Sequence, residues 1–190
     1  MNNEIKLHLG CGKRYLPGYL HVDINNLPHI DYCTEIHKLS MFQDNSVSEI
    51  YNCGVIGYYD REDVNALLKE WKRVLKKDGM LRVSVVDFEK QVQLYLMGDK
   101  IIEDTGVLGP LFGKWPFIDK FSKKGVVYKK TAYDFKSLKS VLENHGFGEY
   151  KRYDWQNFLP ENYDDYSAAY VPHGDVNGIH IMLNVECKKC

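Results

Sequence analysis

The 190-residue chain is close to electroneutral, with 25 Lys and Arg against 26 Asp and Glu, which excludes a global basic field for nucleic acid. Its length suits a single domain, 1–190, with a real core, and no run approaches the roughly 18 apolar residues of a membrane span. Five cysteines without framework spacing fit a reducing, cytoplasmic setting, and the opening MNNEIK lacks the apolar core of a secretory signal.

In chain order, Ile5 to Leu9 and Leu20 to Ile24 read as short strands, Ile30 to Glu35 as a weaker one, and Val47 to Cys53 as another. Asp60 is a plausible N-cap for a helix carrying Val64, Leu67, Leu68, Trp71, Val74 and Leu75 at helical spacing. Lys76, Lys77 and Gly79 supply its stop. MLRVSVV, residues 80–86, is β-branched and apolar, as in a strand buried in a parallel sheet. Phe88 to Met97 is helical, with Phe88, Val92, Tyr95 and Leu96 on one face, and residues 98–130 are irregular. Phe135 to His145 is a second amphipathic helix, followed by strands at Gly148 to Trp155 and Ile179 to Glu186. This alternation predicts a doubly wound, Rossmann-like α/β sheet, mostly parallel with one antiparallel C-terminal strand and with helices on both faces.

The most informative segment is LHLGCGKRYLPGYLHVDI, residues 7–24. Gly10 and Gly12 let the backbone turn sharply and approach a ligand closely. Asp23 closes the second strand, where such sheets bind ligands and where an acid can accept from ribose hydroxyls. A dinucleotide site requires a third glycine, a helix N-terminus for the pyrophosphate and an acid about 20 residues on. Here Tyr15 takes the third glycine position and the acid comes too early. The pattern disfavours NAD and favours a phosphate-free nucleoside such as S-adenosylmethionine (SAM). Whether Lys13 to Tyr19, with Tyr15 foremost, folds over that cofactor is open at this level.

Together with LSMFQDNSVSEIYNCGVIGYY, WKRVLKKDGMLRVSVVDFEKQVQLYL, TAYDFKSLKSVLENHGF and MLNVECKK, this segment resembles the small class I SAM-dependent methyltransferases. More narrowly, it is similar to those associated with bacterial surface-glycan gene clusters. The resemblance implies that Gly10, Cys11 and Gly12 line the methionine portion of SAM, and that Asp23, with Ile24 beside it, binds the ribose. It implies that Glu35, Ile36, Leu39 and Met41 form the adenine slot, and that Asn52, Cys53 and Gly54 pass beneath the sulfonium. Asp87 matches the acid at the mouth of the acceptor pocket. The chain departs from the family where histidines are usual: Gly54, Gly57, Tyr58 and Lys129 stand there.

These readings predict methyl transfer to a small hydroxylated or anionic acceptor, such as a sugar or glycan precursor of polysaccharide biosynthesis. Asp87 is the candidate base, or equally a helix cap, and Tyr58, Tyr133 and His173 are candidates for orienting the acceptor. Residues 98–130 are expected to form a substrate lid, with Trp115, Tyr128 and Lys129 contacting the acceptor. No metal site is expected, since the C-x-x-C of Cys187 and Cys190 lacks a second pair. The rival readings are a SAM-binding protein without catalysis and a nucleotide-dependent oxidoreductase.

Overall fold

The computed structural model describes residues 4–97 and 107–190, so the first part of the expected lid, 98–106, lies outside the described residues. The chain runs β1 (Ile5–Leu9), β2 (Leu20–Asp23), β3 (Tyr32–Cys33), β4 (Val47–Cys53), α1 (Asp63–Val74), β5 (Leu75–Val86), α2 (Phe88–Leu96) and α3 (Leu108–Phe112). It continues through β6 (Lys114–Ile118), β7 (Lys124–Tyr128), α4 (Phe135–Asn144), β8 (Phe147–Arg152), α5 (Trp155–Phe158), β9 (Tyr170–Val171), β10 (Ile179–His180) and β11 (Met182–Lys189). A 7-stranded sheet has the order β3-β2-β1-β4-β5-β11-β8. Its first five strands are parallel, and β11 is antiparallel to both β5 and β8. The expected Rossmann-like sheet with one antiparallel C-terminal strand is therefore present.

Local chemistry sets the element boundaries. Asp60 Oδ1 accepts from the Glu62 and Asp63 amides at 3.0 and 2.8 Å, so it caps the start of α1 as its sequence position suggests. Asp134 and Ser137 form a reciprocal capping box on α4. The first helix stops at Val74, short of Lys77, because Leu75 is captured by pairing with Val47. The register then shifts to Glu49 opposite Met80, and residues 76–79 bulge out with Asp78 at φ 60°. The strand expected at 179–186 is split: Ile179 and His180 pair with β9 as a separate ribbon, and β11 begins at Met182.

The register divides the sheet into two unlike faces. Leu7, Leu9, Val22, Ile50, Val83, Val85, Leu183 and Val185 form one, packed against Trp71, Leu67 and Leu68 of α1 and Leu138 and Leu142 of α4. The opposite face presents His8, His21, Glu49, Tyr51, Arg82, Ser84, Asn184 and Glu186. On this face Tyr51 is covered by Leu16, Tyr19, Tyr153, Phe158, Leu159 and Tyr163 from loops and the single turn of α5.

Candidate functional site

Gly10 leaves β1 at φ 69° and Gly12 follows at φ 55°, both in the left-handed region where glycine is favoured. A Cβ on Gly10 would lie 2.6 Å from Val55 Cγ2, so the backbone there passes tightly against the end of β4. With so short a connection from β1 to β2, side chains rather than a helix hold the loop. Asp23 Oδ2 accepts from the Gly12 amide at 2.8 Å, and Asp23 Oδ1 accepts from the Asn25 amide at 2.7 Å. Asp23 is thus the anchor of the glycine loop as well as the acid at the strand end. Oδ2 retains one accepting position for a hydroxyl.

The other flank of the loop is an aromatic stack. Tyr15, a candidate cofactor contact, lies with its ring stacked on His21 at 4.8 Å and 17°, and edge-on to His29 at 6.4 Å. His29 Nε2 is 3.1 Å from the Gly12 carbonyl. His21 Nε2 accepts from the Leu16 amide at 2.9 Å, which fixes its proton on Nδ1. Burial lowers the pKa of His21 and brings that of His8, behind it, down to about 3. Cys11 is buried, and desolvation raises its thiol pKa, which makes it a packing residue rather than a nucleophile.

The segment expected as a lid contributes a hairpin, β6 with β7. Its end is tied to the loop after β2: the Asn26 amide donates to the Ile118 carbonyl at 3.0 Å, and the Ile118 amide donates to Asn25 Oδ1 at 3.0 Å. Trp115 Cζ2 would be 3.4 Å from a Cβ on Gly12. Trp115, anticipated at the acceptor, therefore sits over the glycine loop. Tyr128 lies exposed on the hairpin.

At the end of β4, Asn52 Nδ2 donates to the Leu9 carbonyl at 2.8 Å, while Asn52 Oδ1 is buried without a partner in the structure. The Gly54 amide donates to the Ser84 carbonyl at 2.8 Å. Above Gly54 lies Tyr166, whose ring carbon would be 3.6 Å from a Cβ there. Tyr166 did not emerge from the sequence. Its only signal is the preceding Asp165, which accepts from the Ser167 amide and from Tyr51 Oη and so places the turn. Of the expected adenine-slot residues, Ile36 and Leu39 are core residues, with Trp71 Nε1 donating to the Ile36 carbonyl at 2.9 Å. Glu35 is ion-paired with Lys38 at 2.7 Å, and Met41 is exposed. Ile24 presents its carbonyl to Cys33 Sγ at 3.4 Å.

A cavity beside Gly54 is lined by Gly57, Val85, Val86, Pro110, Leu111, Lys129 and Thr131. Lys129 Nζ donates to the Pro110 carbonyl at 2.6 Å and lies 6.0 Å from the Tyr58 ring centre. Burial lowers the pKa of Lys129 and pushes that of the Tyr58 hydroxyl up to about 12. The other expected acceptor residues are not among those lining the cavity. Asp87 is 1% exposed, caps α2 by accepting from the Glu89 amide at 3.1 Å, and pairs with Arg152 at 3.3 Å. The cap role is thus the one its geometry displays. Tyr133 is packed in the main core, with burial holding its pKa near 12. His173 is exposed in the turn between β9 and β10. Among the described residues, no group of three His, Cys, Asp or Glu is placed to hold a metal, and no helix is long and apolar enough to cross a membrane.

The residues present suit a nucleoside cofactor: a backbone cradle without side chains at Gly10 and Gly12, an acid at the end of β2, and an unsatisfied acceptor on Asn52. Residues 7–83 match a family model described as a methyltransferase domain. A search of curated protein sequences finds no match. Among solved structures, the chain is similar to a SAM-dependent methyltransferase from Thermotoga maritima, at 17% identity and TM-score 0.56, covering 98% of this chain and 82% of that one. It is also similar to a SAM-dependent methyltransferase from Archaeoglobus fulgidus, at 15% identity and TM-score 0.54, covering 98% and 86%. A third likeness is to the Burkholderia thailandensis 1,6-didemethyltoxoflavin-N1-methyltransferase, solved with 1,6-didemethyltoxoflavin and S-adenosylhomocysteine, at 11% identity and TM-score 0.53, covering 97% and 70%. The chain has the class I SAM-dependent methyltransferase fold, and the methyltransferase-domain match spans the strands that carry the glycine loop and Asp23.

Proposed function

We propose that this protein binds SAM at the glycine loop and transfers its methyl group to a small acceptor oxygen in the cavity beside Gly54. The observation that carries this reading is the coupling of Gly12 to Asp23 at 2.8 Å across a connection too short for a phosphate-binding helix. It supports a nucleoside with ribose and no pyrophosphate. The methyltransferase-domain match over residues 7–83 supports the same chemistry. When bound, SAM supplies an activated methyl group. The protein's own task is to hold the acceptor oxygen in line with it and keep water out, which we assign to the Gly54–Lys129 cavity and the docked hairpin. A hydroxyl acceptor such as a sugar or glycan precursor, or an acceptor that is already an anion, both fall within O-directed transfer.

Calorimetry with SAM and S-adenosylhomocysteine (SAH) tests the cofactor, and methyl-labelled SAM incubated with candidate acceptors tests turnover. Tight NAD binding without SAM binding would overturn the reading. A second reading, SAM binding without catalysis, draws on the engagement of Asp87 with a helix amide and Arg152. Binding without turnover on any acceptor favours it.

A further inference from the structure

We infer that the acceptor is an oxyanion on an apolar body, a carboxylate or phenolate, whose charged oxygen is held by Lys129 in the cavity beside Gly54. The inference rests on the methyl-transfer reading and adds the acceptor's chemistry to it.

Lys129 and Lys130 are adjacent and differently used. Lys130 is exposed and paired with Asp60 at 3.0 Å and Asp63 at 3.1 Å. Lys129 turns inward, and among the described residues its ammonium has no carboxylate partner and donates to the Pro110 carbonyl. An ammonium has three donors, so two remain. The segment is held firmly: the Lys130 and Thr131 amides both donate to the Gly57 carbonyl, at 2.8 and 3.1 Å. The lysine stem passes over Gly57, where a Cβ would be 4.0 Å from Lys129 Cδ. A cation drawn out of water without a counter-charge is costly, and an anionic ligand relieves that cost. Burial lowers the Lys129 pKa.

Val85, Val86, Pro110, Leu111, Thr131 and Ala132 complete the walls around a space of about 10 Å³, room for about one water. The charged oxygen alone therefore enters beside Lys129. The rest of the acceptor lies against half-buried Pro110 and Leu111, which suit an apolar body better than a polyhydroxyl ring. Among the described residues no carboxylate lines this cavity, so none of them is placed to receive the proton of a neutral hydroxyl acceptor. An oxyanion needs none. Its lone pair forms the new C–O bond to the methyl carbon as the carbon–sulfur bond breaks and that electron pair stays on sulfur. Anion and sulfonium are consumed together, no proton moves, and the Lys129 ammonium is left unchanged.

The test uses the full chain saturated with SAH and titrated with benzoate, nitrophenolate and, as a neutral control, benzyl alcohol. At least one anion binds the wild type while benzyl alcohol does not, and the two anions distinguish carboxylate from phenolate. Lys129→Met weakens anion binding by about tenfold or more, the worth of a charge-assisted hydrogen bond, with SAH affinity unchanged. Lys129→Arg, which keeps the charge, restores part of it. Failure of both anions to bind the SAH-loaded wild type, or equal binding to Lys129→Met, overturns the inference. Methyl transfer adds a sign: with Lys129 as an anion holder, the rate falls as pH rises through its lowered pKa. A rate that instead rises through that pKa, with transfer to the alcohol, makes Lys129 a base and also overturns it. If SAM and SAH do not bind the wild type at all, the methyl-transfer reading itself has failed.

Discussion

The two faces of the central sheet solve the same burial problem by different means. On one, aliphatic side chains of the strands meet Trp71, Leu67 and Leu68 of α1 and Leu138 and Leu142 of α4, so water is excluded by packing alone. On the other, the buried charged groups are held by specific partners. Glu49 accepts from Tyr19 Oη at 2.6 Å, pairs with Lys6 at 3.1 Å and also contacts Arg82. Arg82 bridges onward to Glu186 at 2.8 Å, which Lys151 reaches at the same distance, and the Arg82 guanidinium stacks on Phe158 at 4.5 Å. The helical face is a rigid support, whereas the polar face is closed by loops that also border the glycine loop. The proposed cofactor loop thus borders the side where stability depends on specific partners.

Breaking each face in turn tests that contrast. Trp71→Ala removes a fully buried ring and its hydrogen bond to the Ile36 carbonyl. It is expected to cost about 4 kcal/mol, measured by urea unfolding; a loss under about 1 kcal/mol would contradict the assigned packing. Arg82→Met leaves Glu49 and Glu186 buried without their shared cation, at a cost of about 3 kcal/mol. Because Lys6 and Lys151 remain, adding Glu49→Gln and Glu186→Gln to Arg82→Met should recover part of the loss. No recovery would mean that stacking on Phe158, not charge, is what Arg82 supplies. Asp23→Asn sharpens the comparison at the loop, since an amide cannot keep both the Gly12 and Asn25 contacts without setting two donors face to face. SAM affinity should fall by roughly ten- to a hundredfold, equivalent to about 1–3 kcal/mol, with the unfolding midpoint moving less than for Arg82→Met. Unchanged affinity would remove Asp23 from the cofactor site.

The same contrast explains what the sequence disclosed. The strand at Met80 to Val86 and the face of α1 were legible because Leu81, Val83 and Val85 recur at a strand period and Val64, Leu67, Leu68 and Trp71 at a helix period. The polar face was not, because His8, Glu49 and Arg82 occupy inward positions whose partners lie far away in sequence. The β6–β7 hairpin escaped notice since Pro116 argues against a strand, and it is tolerated only because this ribbon is two-stranded. At the candidate site, the glycines and Asp23 carry a local pattern, and the loop they were expected to shape is the one Asp23 anchors through the Gly12 amide. Trp115 of the β6–β7 hairpin lies on Gly12 and Tyr166 of a short turn lies above Gly54, positions set by contacts between distant segments that carry no periodic signature.

The smallest expected effect isolates a single polar-face group. His8 lies between the His21 ring at 5.6 Å and the Tyr51 ring at 5.1 Å, and its Nδ1 is buried without a partner in the structure. Burial, then the nearby His21 and His29, lower its pKa from 6.5 to about 3. Folding therefore holds His8 neutral where the unfolded chain would protonate it. Stability from this group is full above the unfolded value and is lost as pH falls below it, down to the folded value. The slope follows the proton taken up on unfolding, so a single such histidine accounts for about 1 kcal/mol between about pH 7 and about pH 5.5. The measurement is the difference in urea-unfolding stability between wild type and His8→Phe across that window, since the carboxylates common to both cancel. The variant should lose about 1 kcal/mol less than the wild type as the pH falls. Parallel curves would show that His8 reaches water in the folded state, and that the polar face is less tightly closed than its hydrogen bonds imply.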